Sequence, residues 1–537
     1  MGYAPRALAT MAGFAEREAV VDGRRRFTYG GLHRRILGVA GSLWQHGVRP
    51  GQTVGVLALN PAESLFLQFA VHLLGCRSAW VAPSAPPAFR HDFLRLAAID
   101  AFVYDANRVP ELGAELADAS PARVVFRFGP ADRDVELAGE CWPETLPFDP
   151  AQTARPVGSL FQTGGTTGTP KLVHHGPAYF EALYRMSVQY GRSGAPRLRH
   201  LLHSGTWHAS AQVAAYMTLL SGGTLHLQEG LEIGAFLHTI EAERINSTLV
   251  MPGQLYALLD DPRMAGADLG SLQTLSVSGA PVAPTRLAEA VRRLGPIIRV
   301  VYGMSECPMI SAATGVRVDP ARPDLLASCG SAYGDVRMQI RDPAGTVLPP
   351  GAVGDIWVSG SLMMSEYFGA PDLTGEALVD GWLRTGDIGR LDDKGRLYIV
   401  DRAKDMIITG TGAVNVYSRM VEDVLLSHPD VRAAAVVGVP DEAVGEAVHA
   451  FVVAASGTGL SADQVRAHAL TQLSPIWAPK VVHFLDALPL TGSGKVDKKR
   501  LRAAAAPPST APVSPAPVSP APVSLAPVDP AAMGPVG

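Results

Sequence analysis

Short apolar runs that alternate with helical segments constrain this chain most, because they predict parallel strands connected by helices. Residues 54–59 form one such run, bounded by glycine on one side and by Asn60-Pro61 on the other. The segment 61–75 begins with proline and ends with glycine, which is typical of a helix that follows a buried strand. Further strand-like runs occur at 101–104, 123–128, 201–203, 224–227, 247–251, 274–277 and 297–301.

The pattern changes after Gly334, where short β segments are separated by Gly, Pro and Asp turns. This texture predicts a smaller β-rich subdomain, and the mixed patterns after residue 405 predict a small α+β domain. Beyond residue 503 the chain is rich in Ala and Pro, so we predict a disordered tail. The predicted α/β chain has a large N-terminal domain of layered α/β subdomains plus the β-rich subdomain at 1–401, a C-terminal domain at 402–503, and the tail at 504–537.

Length and charge narrow the function classes. A chain of 537 residues exceeds one compact core, and a net charge of −4 offers no basic field for nucleic acid. The most apolar segment, 64–82, is interrupted by polar residues, so we expect no membrane span. Because the four cysteines lack metal-ligand spacing and no long apolar leader follows the start, we expect a cytoplasmic protein.

A stretch rich in glycine and threonine, residues 161–175, follows a strand-like segment. Its glycines let backbone N–H groups approach a ligand closely, while threonine hydroxyls and Lys171 add donors and a positive charge. The stretch lacks the spacing of a Walker loop. We nevertheless predict that it binds a polyphosphate.

Two further turns follow predicted strands and carry polar residues. The first is 278–281, with Gly279 and Ala280, and the second is 302–307, which directly follows the run at 297–301. Because ligands bind at the carboxyl ends of parallel strands, we expect both turns at one edge of a sheet.

Five motifs in a fixed order resemble the adenylate-forming superfamily, which includes acyl-CoA synthetases, adenylation domains of peptide synthetases and beetle luciferases. The resemblance covers residues 15–503 and rests on the segments 163–171, 302–306, 384–387, 401–404 and 492–495. It implies activation of a carboxylic acid by ATP and Mg²⁺ to an acyl-adenylate, followed by transfer to a thiol such as that of CoA. Positioned cations and hydrogen-bond donors would stabilise the charge that gathers around phosphorus.

The resemblance also implies roles for individual residues. Lys495 would bridge the substrate carboxylate and the α-phosphate, Ser305 would donate to the α-phosphate, and Glu306 would help to hold Mg²⁺. The β- and γ-phosphates would be held by Thr163, Gly164, Gly165, Thr166, Thr167, Gly168 and Lys171. The nucleoside would contact Gly279, Ala280, Tyr302 and Gly303 around the adenine, and Asp387 and Arg402 at the ribose.

Lys404 matches the hinge of the family, about which the small domain rotates between the two half-reactions. A loop after the hinge, 409–415, would approach the adenylate in the second state. This sequence departs from the family pattern at Gly164, Leu172, Ser305, Ser418 and Met420, where the family more often has Ser, Gly, Thr, Pro and Glu.

The stretch 203–210 aligns with the border of the family's acyl pocket, and His208 falls where acyl- and aryl-activating members carry histidine. Amino-acid-activating members have aspartate there, and a cationic imidazole would repel the substrate ammonium. The other expected pocket residues are mostly apolar, namely Trp207, Ala211, Val301, Met304, Cys307 and Met309. We therefore predict a sizeable hydrophobic carboxylic acid as substrate.

Three functions remain open from the sequence. The leading hypothesis is an acyl- or aryl-CoA ligase, acting as a monomer or homodimer. A second is a stand-alone adenylation enzyme that loads the phosphopantetheine of a carrier protein or forms an amide. A third is a non-catalytic member that binds nucleotide or acyl ligand only.

Overall fold

The computed structural model describes residues 2–129, 134–137, 146, 148, 157–163, 171–319, 321–409, 414–441, 443–491 and 495–505. The predicted tail therefore lies, from residue 506 onward, outside the described residues. Within the described ranges, no helix combines the length and the apolar character needed to cross a membrane.

Most of the helices begin shortly after a strand and run back along a sheet. In chain order they are α1 (Tyr3–Ala12), α2 (Tyr29–Gln45), α3 (Ala62–Leu73), α4 (Pro87–Leu96), α5 (Pro110–Ala119), α6 (Pro177–Arg192), α7 (Ala209–Leu220), α8 (Ile233–Ala242), α9 (Pro252–Asp260), α10 (Pro284–Leu294), α11 (Pro371–Ala377), α12 (Ser418–Leu426), α13 (Ala462–Leu470) and α14 (Lys498–Ala505).

The strands are short and lie in four sheets. In chain order they are β1 (Glu18–Asp22), β2 (Arg25–Thr28), β3 (Thr53–Leu57), β4 (Arg77–Trp80), β5 (Ala101–Asp105), β6 (Val124–Phe128), β7 (Val135–Glu136), β8 (Gly158–Thr163), β9 (Lys171–His175), β10 (Arg199–Leu202), β11 (Thr224–Leu227), β12 (Ser247–Val250), β13 (Thr274–Val277), β14 (Ile298–Met304), β15 (Cys307–Ala313), β16 (Ser331–Ala332), β17 (Arg337–Arg341), β18 (Gly354–Ser359), β19 (Glu366–Tyr367), β20 (Leu378–Val379), β21 (Trp382–Leu391), β22 (Leu397–Arg402), β23 (Ile407–Thr409), β24 (Val414–Val416), β25 (Val431–Asp441), β26 (Gly445–Ala454) and β27 (Val481–Phe484).

Two mainly parallel sheets form the body of the N-terminal region, which confirms the predicted layers. The nine-stranded sheet has the order β16-β15-β14-β13-β12-β10-β11-β1-β2, and its strands from β14 to β1 are parallel. The eight-stranded sheet has the order β19-β9-β8-β4-β3-β5-β6-β7 and is parallel from β8 to β7. The run at 54–59 is β3, and the helix predicted at 61–75 is α3.

The remaining two sheets are formed by the part of the chain after Gly334, where the sequence pattern changes to short β segments. Strands β17, β18, β20, β21 and β22 make an antiparallel sheet, and β23 to β27 make a second small sheet that packs on α12 and α13. The structure is thus α/β with a β-rich subdomain and a small α+β domain at its C-terminal end. Strand β22 ends at Arg402 and β23 begins at Ile407, so the predicted hinge lies in the turn between them.

The nine-stranded sheet has helices on both faces. Leu275, Val277, Ile298 and Val300 belong to a core that also contains buried side chains of α8, α9 and α10. On the opposite face, Leu202 and Leu225 belong to a core shared with α2, α6 and α7. Because side chains alternate along a strand, each strand contributes to both layers.

Three buried histidines lie beside these layers without a full set of hydrogen bonds. His200, His203 and His226 are 6%, 4% and 2% exposed. Among the described residues, both ring nitrogens of His203 and of His226 lack a hydrogen-bond partner. Burial lowers the pKa of His200 to about 3 and the pKa values of His203 and His226 to about 4, with nearby histidines and arginines adding to the effect at His200 and His226.

These histidines should make the fold less stable in acid. The unfolded chain takes up protons as the pH falls below 6.5, whereas the folded chain does so only near pH 4, so the free energy of unfolding decreases between these values. His203 lies edge-on to Phe236 at 5.5 Å between ring centroids. We expect His203→Phe to reduce the loss of stability between pH 7.5 and 5 by on the order of 1–2 kcal/mol, measured by denaturant unfolding.

His238→Gln on the exposed face of α8 is the control and should keep the parental pH dependence. An undiminished pH dependence in His203→Phe would contradict the interpretation.

Candidate active site

The two ends of the predicted phosphate-binding loop face each other across a hairpin. Strands β8 and β9 pair antiparallel, and Thr163 lies opposite Lys171 at the open end. The residues between them, including Gly164, Gly165, Thr166, Thr167 and Gly168, lie outside the described residues. The structure therefore fixes where this loop leaves and rejoins the sheet.

Tyr367 connects the loop's lysine to the predicted metal-binding carboxylate. The Lys171 Nζ lies over the Tyr367 ring at 4.9 Å from its centroid, and the Tyr367 hydroxyl donates to Glu306 Oε1 at 2.8 Å. Glu306 is 7% exposed. The segment around Tyr367 has no motif from which its role could be predicted, and the pairing of β19 with β9 brings it here.

The segment 302–307 is mostly strand rather than the predicted loop. Strand β14 continues to Met304 and β15 begins at Cys307, which leaves a turn of Ser305 and Glu306. Packing requires glycine at position 303, because a Cβ there would lie 2.1 Å from the backbone oxygen of Pro308. The turn is also held by His175, whose Nε2 lies 2.7 Å from the Ser305 carbonyl oxygen and donates to it.

His175 was part of the glycine- and threonine-rich stretch but received no role from the sequence. Its ring stacks on Tyr179 at 4.0 Å between centroids, and burial lowers its pKa to about 3. A neutral ring with Nε2 protonated can donate to Ser305 throughout the neutral pH range. His175 therefore positions the turn that carries Ser305 and Glu306.

Asp387 is a buried carboxylate that accepts hydrogen bonds from two other strands. The Tyr302 hydroxyl donates to Asp387 Oδ2 at 2.6 Å, and Arg402 Nε lies 2.7 Å from Asp387 Oδ1. Asp387 is 3% exposed, while Gly386 before it has a φ of +74°, a conformation that glycine adopts without strain. The structure thus brings together three residues that were predicted to bind the nucleoside.

The other predicted adenine turn lies after β13. Gly279 and Ala280 are both exposed, and Gly279 has a φ of +92°. A Cβ at Gly279 would contact Met251 at 3.7 Å, so glycine here is required by conformation more than by crowding.

Lys495 comes from the small domain and lies among the charged groups of the large domain. Its backbone closes a short turn, in which Thr491 N donates to the Lys495 carbonyl at 2.7 Å. Desolvation and then Arg402 lower the pKa of Lys495, whereas Asp387 and Glu306 raise it. The side chain is exposed to solvent within a cleft. In this domain orientation, Lys495 therefore interacts electrostatically with Asp387 and Glu306 of the large domain.

His208 stands at the start of α7, close to Lys495. Burial, followed by the positive charge of Lys495, lowers the pKa of His208 to about 4. The imidazole is therefore neutral at pH 7, and the predicted repulsion of a substrate ammonium by a cationic ring is wrong. What disfavours an amino-acid substrate is that His208 supplies no negative charge to pair with the ammonium.

The hinge region is tied together by buried polar contacts. Ser418 Oγ donates to Asp401 Oδ1 at 3.2 Å and accepts from Lys498 Nζ at 2.7 Å. Lys498 also pairs with Glu422 Oε1 at 2.7 Å. Lys404 itself is exposed, and desolvation followed by Arg402 lowers its pKa. Ser418, which departs from the family pattern, therefore connects the small domain to the strand before the hinge.

The predicted acyl-pocket residues are placed in different environments. Trp207, Met304 and Met309 are half-buried, and Ala211 lines a cavity between α7 and the nine-stranded sheet. Cys307, in contrast, is fully buried in a core with Tyr302, and its pKa is raised to about 12 by burial. The structure does not place Cys307 at an open surface, because the side chain points into the β-rich subdomain's core.

The arrangement suits chemistry at a phosphate. Two carboxylates, Glu306 and Asp387, and two cations, Arg402 and Lys495, interact electrostatically in one cleft, and the loop beginning at Thr163 opens beside them. Such preorganised charges stabilise a transition state in which negative charge develops.

Comparison with known proteins adds two family matches. The family described as AMP-binding enzyme matches residues 8–368, and the AMP-binding enzyme C-terminal domain matches residues 420–495. The medium/long-chain-fatty-acid–CoA ligase FadD8 of Mycobacterium tuberculosis is 36% identical over 90% of this chain and 86% of its own. A feruloyl-CoA synthase from Amycolatopsis sp is also 36% identical, over 90% of this chain and 95% of its own.

Solved structures resemble the whole fold. The amide bond synthetase McbA from Marinactinospora thermotolerans superposes with a TM-score of 0.86 at 34% identity, covering 94% of this chain and all of its own. The o-succinylbenzoate CoA synthetase MenE from Bacillus subtilis, in complex with an acyl-adenylate, gives a TM-score of 0.78 at 26% identity, covering 92% and 97%.

Asp387 provides a test of the nucleoside contacts. We expect Asp387→Asn to weaken ATP binding roughly 10–100-fold, because a neutral amide replaces a charged acceptor and leaves Arg402 without its partner. Calorimetric titration with ATP measures the dissociation constant, and the thermal midpoint reports whether the variant remains folded. Asp393→Asn, in an exposed turn, is the matched control. ATP binding as tight in folded Asp387→Asn as in the parent would contradict the role.

Proposed function

This chain belongs to the AMP-binding enzymes, and we propose that it is an AMP-forming ligase that joins a hydrophobic carboxylic acid to CoA. The observation that carries the proposal is that Lys495 of the small domain interacts electrostatically with Glu306 and Asp387 of the large domain. We further propose a domain boundary between 401 and 402, which places Lys495 on the moving part.

In the first half-reaction, a carboxylate oxygen of the acid forms a bond to the α-phosphorus of ATP. The bond from that phosphorus to the bridging oxygen breaks, and pyrophosphate leaves. Lys495 neutralises charge on the carboxylate and α-phosphate as they approach, and Ser305 donates to the α-phosphate. Lys171, together with the loop that it closes, holds the departing phosphates.

The donor set near Glu306 fits a magnesium ion. In the described ranges, no group of three His, Cys, Asp or Glu side chains could hold a metal by itself. Mg²⁺ commonly binds through one or two carboxylates together with substrate phosphates, and the Glu306 carboxylate, oriented by Tyr367, matches that pattern. Bound there, the ion would neutralise charge on the phosphates.

In the second half-reaction, the thiol sulfur of CoA attacks the acyl carbon, the thiol proton is lost and AMP leaves. The small domain must turn about Lys404 so that Lys495 withdraws and the thiol gains access. The contacts of Ser418 with Asp401 and of Arg432 with Asp260, at 3.1 Å, hold the present orientation and must rearrange. Part of the predicted second-state loop, 410–413, lies outside the described residues.

Lys495→Ala tests the first half-reaction. We expect pyrophosphate release with ATP and an accepted acid to fall on the order of 10²–10³-fold, because a positioned charge at the transition state is lost. Lys499→Ala removes an exposed lysine four residues away and should retain the parental rate. Unchanged adenylation in Lys495→Ala would refute the mechanism.

His208→Ala tests the acid site. We expect kcat/KM for hydrophobic acids to fall at least about tenfold, since a positioning contact at the start of α7 is removed. The KM for ATP should change little, because His208 lies on the acyl side. A decrease of no more than about twofold, with His238→Gln as control, would count against this position.

A second candidate is amide formation, favoured by the resemblance to McbA over the whole chain. An amine nitrogen would then attack the same acyl-adenylate in place of the thiol. Supplying CoA, a phosphopantetheinylated carrier protein or a primary amine to enzyme that is forming adenylate, and identifying the acyl product by mass spectrometry, distinguishes these acceptors.

A further inference from the structure

A slot opens between α7 and the nine-stranded sheet on the side where α6 also packs. On α7, Ser210, Ala214 and Met217 share one helical face, and Ser210 is exposed while the other two are half-buried. A cavity in this region is lined by His200, Leu202, Ser204, Ser210, Ala211 and Ala214. If the proposed function holds, this slot receives the body of the acid, and the inference below rests on that function.

Strand β14 lies two strands beyond β12, whose Leu249 also lines this cavity. Ile298 and Val300 point into the core with α9 and α10, so Arg299 and Val301 point to the opposite face, towards α6 and α7. Arg299 is paired with Ser276 on β13, and Ser276 with Leu249 on β12. These three side chains therefore share the sheet face on which α6 and α7 pack. Each is half-buried, and Leu249 lines the cavity.

Among the residues that the structure describes, Arg299 forms no ion pair. Its Nε and Nη2 atoms are both shielded from solvent and have no hydrogen-bond partner. Its guanidinium carbon lies 5.0 Å from the ring centroid of Tyr333. Tyr190 of α6 is also nearby: burial chiefly raises the pKa of Tyr190, Tyr333 raises it further, and Arg299 lowers it. The contact with Tyr333 orients the guanidinium but leaves these two nitrogen atoms, with three N–H groups between them, without an acceptor among the described residues.

An unused donor that is shielded from water is costly, and more so on a charged group. A stacked guanidinium with free N–H groups instead suits an oxygen acceptor, for which it provides a planar fork. Along β14, Arg299 lies four residues before Gly303, a distance of about 13 Å at the rise of a strand. An acceptor at Arg299 would therefore stand at the far end of an acid whose carboxyl lies near Lys495.

We propose that Arg299 is a specificity-determining residue that binds an oxygen acceptor, a carboxylate or phenolic oxygen, at the end of the acid opposite the reacting carboxyl. The substrate class is accordingly an acid with an apolar body and a polar far end. This sharpens the prediction of a plain hydrophobic acid, because the apolar residues Trp207, Ala211 and Val301 contact the body while Arg299 selects the end.

Paired acids with and without the far oxygen test the proposal. The pairs are octanedioic and octanoic acid, and 4-hydroxycinnamic and cinnamic acid. Calorimetry measures the binding of each acid, and pyrophosphate release measures its turnover. Both are measured for the parent, for Arg299→Met and Arg299→Lys, and for the exposed control Arg292→Met. Methionine keeps a long stem over Tyr333, so the variant should fold, and the thermal midpoint verifies this.

We expect the parent to favour the oxygen-bearing acid in at least one pair. Arg299→Met should lose roughly 10–100-fold in binding and in kcat/KM for that acid, while its plain partner changes less than about twofold. Arg299→Lys should recover part of the loss, and Arg292→Met should match the parent.

The proposal is overturned if the parent prefers the plain acid in both pairs, or if Arg299→Met weakens both members of a pair equally. Failure of the proposed function has a different signature. In that case no acid supports pyrophosphate release by the parent, while calorimetry still reports the preference for the far oxygen and its loss in Arg299→Met.

Discussion

The buried carboxylate of Asp387 holds the parts of this site in place. Tyr302 from β14 and Arg402 from β22 each donate to one of its oxygens, at 2.6 and 2.7 Å. Because Arg402 is the last residue of β22, this contact fixes the point from which the chain turns towards Lys404 and the small domain. The orientation of the small domain, and with it the environment of Lys495, therefore depends on an interaction made at the boundary between the two domains.

The site brings the positive charges of Lys495, Arg402 and Lys404 close enough to affect one another. Arg402 and Lys404 both oppose the charge on Lys495, and Asp387 and Glu306 favour it. Anionic phosphates and a carboxylate would complete that balance, which is why the orientation suits adenylation. Ser418, through Asp401 and Lys498, stabilises the same orientation, and its hydroxyl performs a task that proline, usual in the family, could not.

Much of the fold was predictable because local patterns decide it. The runs at 224–227 and 274–277 coincide with β11 and β13, and the motifs at 302–306 and 384–387 do meet in space. The sequence could not reveal Tyr367 or His175, since neither stands in a pattern of its own. Both act through partners 61 and 130 residues away in the chain.

By itself, the sequence determined the alternating layers, because strand periodicity is a local property. Its five ordered motifs supplied the resemblance that implied activation of an acid by ATP. Only the tertiary structure decided which groups share a low-dielectric cleft. It made His208 neutral through burial and, among the described residues, left Nε and Nη2 of Arg299 buried without an acceptor. Desolvation and partner geometry depend on residues distant in the chain, so no local pattern records them.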